Sequence, residues 1–105
     1  MPFSIIALDA GVTRIVLEGD LDVVTVEGLR PELVGVVRRC PTQLEMDLSH
    51  LRSVDTRGMQ VLVAFFASLA RINCRITVTG MRDQLPKRFK AALFDAILHE
   101  PQLAN

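Results

Sequence analysis

Apolar and polar positions alternate with two different periods along this chain. Phe3 to Leu8 is a short apolar run. Gly11 follows Asp9-Ala10 as a turn, and Thr13 to Glu18 (Thr-Arg-Ile-Val-Leu-Glu) is rich in β-branched residues, so the two runs predict a β-hairpin. Gly19-Asp20-Leu21-Asp22 is expected to be a loop. From Val23 to Arg39 the period lengthens, and Val26, Leu29, Leu33, Val36 and Val37 recur at helical spacing. Pro31 lies inside that pattern and predicts a loose opening turn or a kink. Arg38 and Arg39 suit the negative end of the helix dipole, and Pro41 stops it.

The second half repeats the alternation. Leu44, Met46 and Leu48 alternate with Gln43, Glu45 and Asp47, which predicts a third strand parallel to its neighbour. Ser49 to Val54 is expected to be a connector. Asp55 and Thr56 are two candidate N-caps for an amphipathic helix whose apolar face holds Met59, Leu62, Val63, Phe66, Leu69 and Ala70. Phe65 and Phe66 cannot point the same way, so one of them is expected in a groove or at a dimer contact. Asn73 ends that helix. Arg75 to Thr79 is a fourth strand and Gly80 a turn. Asp83 is expected to cap a last helix with Pro86 in its first turn and Leu85, Phe89, Ala92 and Leu93 on its inner face; Phe94 to Leu98 is expected to be a separate short turn. The pattern predicts an α/β fold. It has a mixed sheet of four to five strands opened by a hairpin and covered by about four helices. Residues 1–105 are expected to form one domain.

Composition narrows the function. Half the residues are apolar, with no Trp or Tyr, so the core is aliphatic with some Phe. Lys and Arg balance Asp and Glu at 12 each, which gives no electrostatic footprint for nucleic acid. The balance is uneven along the chain: residues 1–50 carry a net −4 and residues 51–105 a net +4, a pattern of use in partner choice. Cys40 and Cys74 are too few for a disulfide framework. The first residues lack the plan of a signal peptide, and the longest apolar run, Val61 to Ala67, is far too short to span a bilayer. A cytoplasmic protein with no direct membrane insertion is expected. His50 and His99 are far apart with no ligand-spaced partner, so no metal and no cofactor are expected. No base with an orienting third group stands beside a Ser or Thr, and no phosphate-cradling glycine loop occurs, so no catalytic residue is assigned.

One stretch carries more information. Met46 to Leu62 reads Met-Asp-Leu-Ser-His-Leu-Arg-Ser-Val-Asp-Thr-Arg-Gly-Met-Gln-Val-Leu. It resembles the signature of the STAS family, of the anti-sigma-factor-antagonist type. There a strand ending in Asp-Leu-Ser leads to Asp-Ser-Ser-Gly or Asp-Thr-x-Gly and then an apolar helix. Gly19-Asp20-Leu21-Asp22 is similar to the family's Gly-Glu-Leu-Asp loop, and Ile76 to Gly80 stands where the family has a strand ending in Gly. The resemblance implies a non-enzymatic partner switch. The unmodified protein binds an anti-sigma factor that is a serine kinase, and phosphorylation at the start of this helix ends the binding. It implies Asp20, Asp22, Asp55, Thr56, Arg57 and Gly58 as partner-binding residues. The chain departs from the family at the usual phosphoacceptor, just before the Gly, where Arg57 stands. Thr56, one residue upstream, is then the candidate acceptor or contact. Arg57 is expected to pair with an acidic group on a partner.

Asp-Thr-x-Gly also occurs in STAS proteins that sit on the ATPase of phospholipid-transport ABC systems. An accessory subunit of such a transporter is therefore the alternative, with a nucleotide-binding protein or hydrolase as a third reading. A monomer or weak homodimer is expected. From the residues alone, Asp22 reads equally as a helix cap, and the missing side chain of Gly58 lets something approach the first turn closely.

Overall fold

A computed structural model describes residues 3–8, 11–81 and 85–98. Asp9 and Ala10 before the expected Gly11 turn, the Asp83 cap and His99 lie outside these residues. The order is β1 (Phe3–Ala7), β2 (Val12–Leu21), α1 (Val23–Arg38), β3 (Gln43–Val54), α2 (Thr56–Arg71), β4 (Arg75–Thr79) and α3 (Lys87–Leu98). The sheet runs β1-β2-β3-β4: β1 is antiparallel to β2, and β2, β3 and β4 are parallel. The hairpin, the mixed sheet and the α/β class are as the pattern predicted. Among the described residues there are four strands and three helices, fewer helices than expected.

Topology puts α1 and α2 together. Each is a crossover between adjacent parallel strands. Such crossovers are right-handed almost without exception, so both helices land on the same face of the sheet. That face carries Ile15, Leu17, Leu44, Met46, Leu48 and Ile76, all buried. The intervening positions on β2 and β3 face away and hold polar pairs instead. Arg14 donates to Glu45 Oε1 at 3.3 Å and to Asp47 Oδ2 at 3.4 Å. Phe66 and Leu62 of α2, Val26 and Leu29 of α1, and Phe89 and Leu93 of α3 close the core. Phe65 and Phe66 are both buried, with ring centroids 5.9 Å apart. Phe65 achieves this by facing α1 rather than the sheet, at the floor of a groove between the two helices.

Five local expectations are corrected. Gly19 to Asp22 is no loop, and Ser49 to Val54 is no connector: β2 continues to Leu21 and β3 to Val54. The two polar stretches pair with each other, Glu18 opposite His50, Gly19 opposite Leu51, Asp20 opposite Ser53 and Leu21 opposite Val54, across two register irregularities. Gly19 sits at one irregularity with φ +70°, a conformation that costs glycine little, so the strand bulges and continues instead of ending. Pro31 does not divide α1, which is helical from Val23 to Arg38; Pro31 is on the exposed side. Pro86 precedes α3 rather than lying in its first turn, and its carbonyl accepts from the N–H groups of Phe89 and Lys90. Phe94 to Leu98 continues α3 rather than forming a separate turn.

The helix ends follow their local chemistry. At the end of α2, Cys74 N–H bonds Leu69 O and Asn73 N–H bonds Ala70 O, with Asn73 left-handed at φ +61°. That is the Schellman arrangement, and Asn tolerates its left-handed residue. At the end of α1 the corresponding left-handed residue is Cys40, φ +50°, with Pro41 beyond it.

Candidate functional site

The parallel strands β2 and β3 end side by side, so α1 and α2 begin side by side. Their first turns form one edge of the molecule. Each start is fixed by an Asp. Asp22 Oδ1 accepts from the N–H groups of Val24 at 3.0 Å and Thr25 at 2.9 Å, and Asp22 N–H donates back to Thr25 Oγ1 at 2.9 Å. This reciprocal capping box satisfies three otherwise orphaned donors. The Thr25 hydroxyl donates on to Asp20 O at 2.9 Å, tying α1 to the end of β2. These bonds, the Thr25 N–H first among them, hold the Asp22 carboxyl below its ordinary pKa. Asp55 caps α2 by accepting from Gly58 N–H at 2.8 Å.

The two starts are joined to each other. Asp55 N–H donates to Leu21 O at 3.0 Å. Gly58 is buried directly beneath Leu21: a Cβ there would lie 2.6 Å from Leu21 O and 2.8 Å from Leu21 Cγ. What approaches the first turn closely is thus the end of β2 in the same chain. Gly58 holds the edge together from below rather than facing outward.

Asp20 lies on β2 and is held across the sheet. Arg52 Nε donates to its Oδ1 at 3.0 Å and Arg52 Nη2 to its Oδ2 at 2.7 Å, a two-pronged pair, while the Ser53 hydroxyl donates to Oδ1 at 2.6 Å. The Arg52 hydrogen bonds, with Ser53 behind them, lower the Asp20 pKa from 3.8 to about 2. Asp20 is an ionised, immobilised carboxylate at the flank of the edge.

Thr56 and Arg57 face solvent at the start of α2. Thr56 Oγ1 accepts from Arg88 Nη2 of α3 at 3.3 Å. Arg57 Nη2 is 4.0 Å from Glu27 Oε1 of α1, with both side chains about half-exposed. So Asp22, Asp55, Thr56, Arg57 and Gly58 come together at one edge, with Asp20 beside them. Three contributors escaped the sequence reading. Val23 and Val24, at the start of α1, are 56% and 76% exposed. They read as the first apolar residues of a helix, and only the position of the cap shows that they precede its buried stripe. Arg88 reaches Thr56 through a packing contact between helices 32 residues apart in sequence; no local pattern marks it. Among the described residues no group of His, Cys, Asp or Glu could hold a metal ion, and no helix is long and apolar enough to cross a membrane.

The fold is similar to that of solved anti-sigma factor antagonists. SpoIIAA in its unphosphorylated form superposes with a TM-score of 0.71 at 19% identity, over 88% of this chain and 82% of that one. The Bacillus cell fate determinant SpoIIAA in its phosphorylated form gives 0.69 at 18% identity, over 93% and 86%. An anti-sigma factor antagonist from Mycobacterium paratuberculosis gives 0.62 at 21% identity, over 90% and 93%. No curated protein matches the chain in sequence. The family model described as "Mlab, STAS domain" matches residues 6–99. The chain belongs to the STAS family.

Proposed function

We propose that this chain is a non-enzymatic, cytoplasmic protein-interaction regulator of the anti-sigma-factor-antagonist type, which binds an anti-sigma factor/serine kinase and so controls transcription. The observation that carries the reading is the edge formed by the two helix starts. Asp22, Asp55 and Gly58 build a rigid frame, and Val23, Val24, Thr56 and Arg57 stand on it facing solvent. A preorganised patch with an apolar centre and a polar surround is what a protein partner needs, because little side-chain order is lost on binding. Asp20 and Asp22 flank the patch with negative charge.

Thr56 is the point of control in this reading. Its hydroxyl is exposed at the positive end of α2 and already within reach of Arg88. A phosphate there would add a charge of about −1.5 to −2, settle on the helix dipole, and draw in Arg88. It would also set negative charge beside Arg57, which repels a partner whose acidic groups pair with that arginine. SpoIIAA occurs in unphosphorylated and phosphorylated forms, which supports a switch of this kind in the fold.

A second reading has its own support. Arg57 occupies the position just before Gly58, and the matched family model is described by the name Mlab. Both favour a permanent accessory subunit of a phospholipid-transport ABC ATPase, docked through the same edge with Thr56 unmodified. Affinity capture of the tagged protein from its native cells, with mass spectrometry of the partners and of Thr56, separates the two. A co-purifying anti-sigma kinase with phosphate on Thr56 supports the switch. A transport ATPase with unmodified Thr56 replaces it with the second reading.

A further inference from the structure

The edge continues into a groove that the docking reading does not use. Between α1 and α2 lies an open channel of about 500 Å³. One stripe of each helix lines it: Arg30, Val34 and Arg38 from α1, and Arg57, Ala64 and Ser68 from α2, with Phe65 at the floor. The twelve residues from Arg57 to Ser68 make the groove about 16 Å long, close to three helical turns. Its base is apolar, and no carboxylate lines it. Three arginines stand along it; Arg57 is 4.0 Å from Glu27, and among the described residues Arg30 and Arg38 form no ion pair. Arg30 and Arg38 are eight residues apart, about 12 Å along the axis.

We propose that this groove receives an acidic amphipathic helix of about three turns from the protein partner. The proposal rests on the docking reading and extends it from the edge down the flank of the molecule. A helix presents apolar side chains at i, i+3, i+4 and i+7 to such a floor, and carboxylates two turns apart on its flank meet Arg30 and Arg38 together. An amphiphile with one anionic head satisfies only one end of a groove charged at both. Arg57 borders both the groove and the edge, so one partner segment can engage the two in succession.

The test uses the full chain with a photoreactive benzoylphenylalanine at Val34, on the groove wall, and in a second variant at Val24, on the edge, irradiated in the native cells. The expected adduct at position 34 maps by mass spectrometry to a segment with helical apolar spacing and acids seven or eight residues apart. That segment, made as a peptide, binds the wild-type chain, and Arg38→Glu weakens it by about fivefold or more, less at high salt. An adduct at 24 with none at 34 removes the groove from the interface and leaves the docking edge standing. No protein adduct at either position removes both. An adduct at 34 to a second copy of this chain or to a lipid, or a captured peptide indifferent to Arg38→Glu, overturns the proposal.

Discussion

Replacing Gly58 with Ala tests how the edge is built. The added Cβ would sit 2.6 Å from Leu21 O and 2.8 Å from Leu21 Cγ, so either the end of β2 or the first turn of α2 has to move. Leu21 O also accepts the Asp55 N–H at 3.0 Å, so that movement loosens the bond joining the two helix starts. Relieving an overlap of this kind in a packed region costs about 1–3 kcal/mol. Alanine returns at most ~1 kcal/mol of helix propensity. Because the nearest contact is with a backbone oxygen, the cost lies in the upper half of that range, and the net loss of about 1–2 kcal/mol corresponds to a melting point lower by roughly 4–16 °C in a domain of this size. The controls are Gly28→Ala and Gly35→Ala, both inside α1 with nothing within 4 Å of the new Cβ. Each is expected to stabilise by about 0.5–1 kcal/mol through the unfolded chain and helix propensity. Thermal melts followed by circular dichroism read all three. The reasoning fails if Gly58→Ala melts at or above the wild type, or if the α1 variants fall as far as it does.

Three further outcomes follow from the same geometry. Asp55→Ala is expected to lose about 1 kcal/mol in urea denaturation while Asp55→Asn, an equivalent cap, stays near wild type; equal loss in both would show that the cap is not what Asp55 supplies. Asp20 titrates at about 2 rather than 3.8 because Arg52 and Ser53 bond its charged form. Its contribution to stability is therefore complete above about pH 4 and is lost as pH falls from there towards 2; carboxyl-detected NMR should place its midpoint near 2, and Arg52→Ala should raise it. Cys40 is exposed, whereas Cys74 is buried and burial pushes its thiol up to about 11. A native-state thiol titration is thus expected to count one reactive cysteine, and two only after unfolding.

The strands and helices that a local period can encode were legible: the β1–β2 hairpin, the alternation of Leu44, Met46 and Leu48, and the stripe of α2. What local pattern could not display was the pairing of two polar stretches. Gly19 to Asp22 and Ser49 to Val54 look like loops singly, and become strands because each supplies the other's hydrogen-bond partner, with Arg52 closing on Asp20 across the sheet. Pro31 was misjudged for a different reason: a proline on a helix's exposed face loses one bond but need not break the packing of the buried one. At the site, Asp55 and Thr56 announced themselves through capping chemistry. The burial of Gly58 under Leu21 and the reach of Arg88 to Thr56 came only with tertiary packing. Val23 and Val24 stayed hidden because an apolar residue at a helix start reads as core until its face is known.

The central claim, that the chain works by docking a protein on the edge formed by the starts of α1 and α2, is tested most directly by the affinity of the captured partner for three variants, Val24→Asp, Thr56→Glu and Arg57→Glu, measured calorimetrically beside their melting points. The account predicts binding weakened by about tenfold or more, with melting points within a few degrees of wild type because all three side chains face solvent. Wild-type affinity in all three would contradict it and place the partner on another face of the fold.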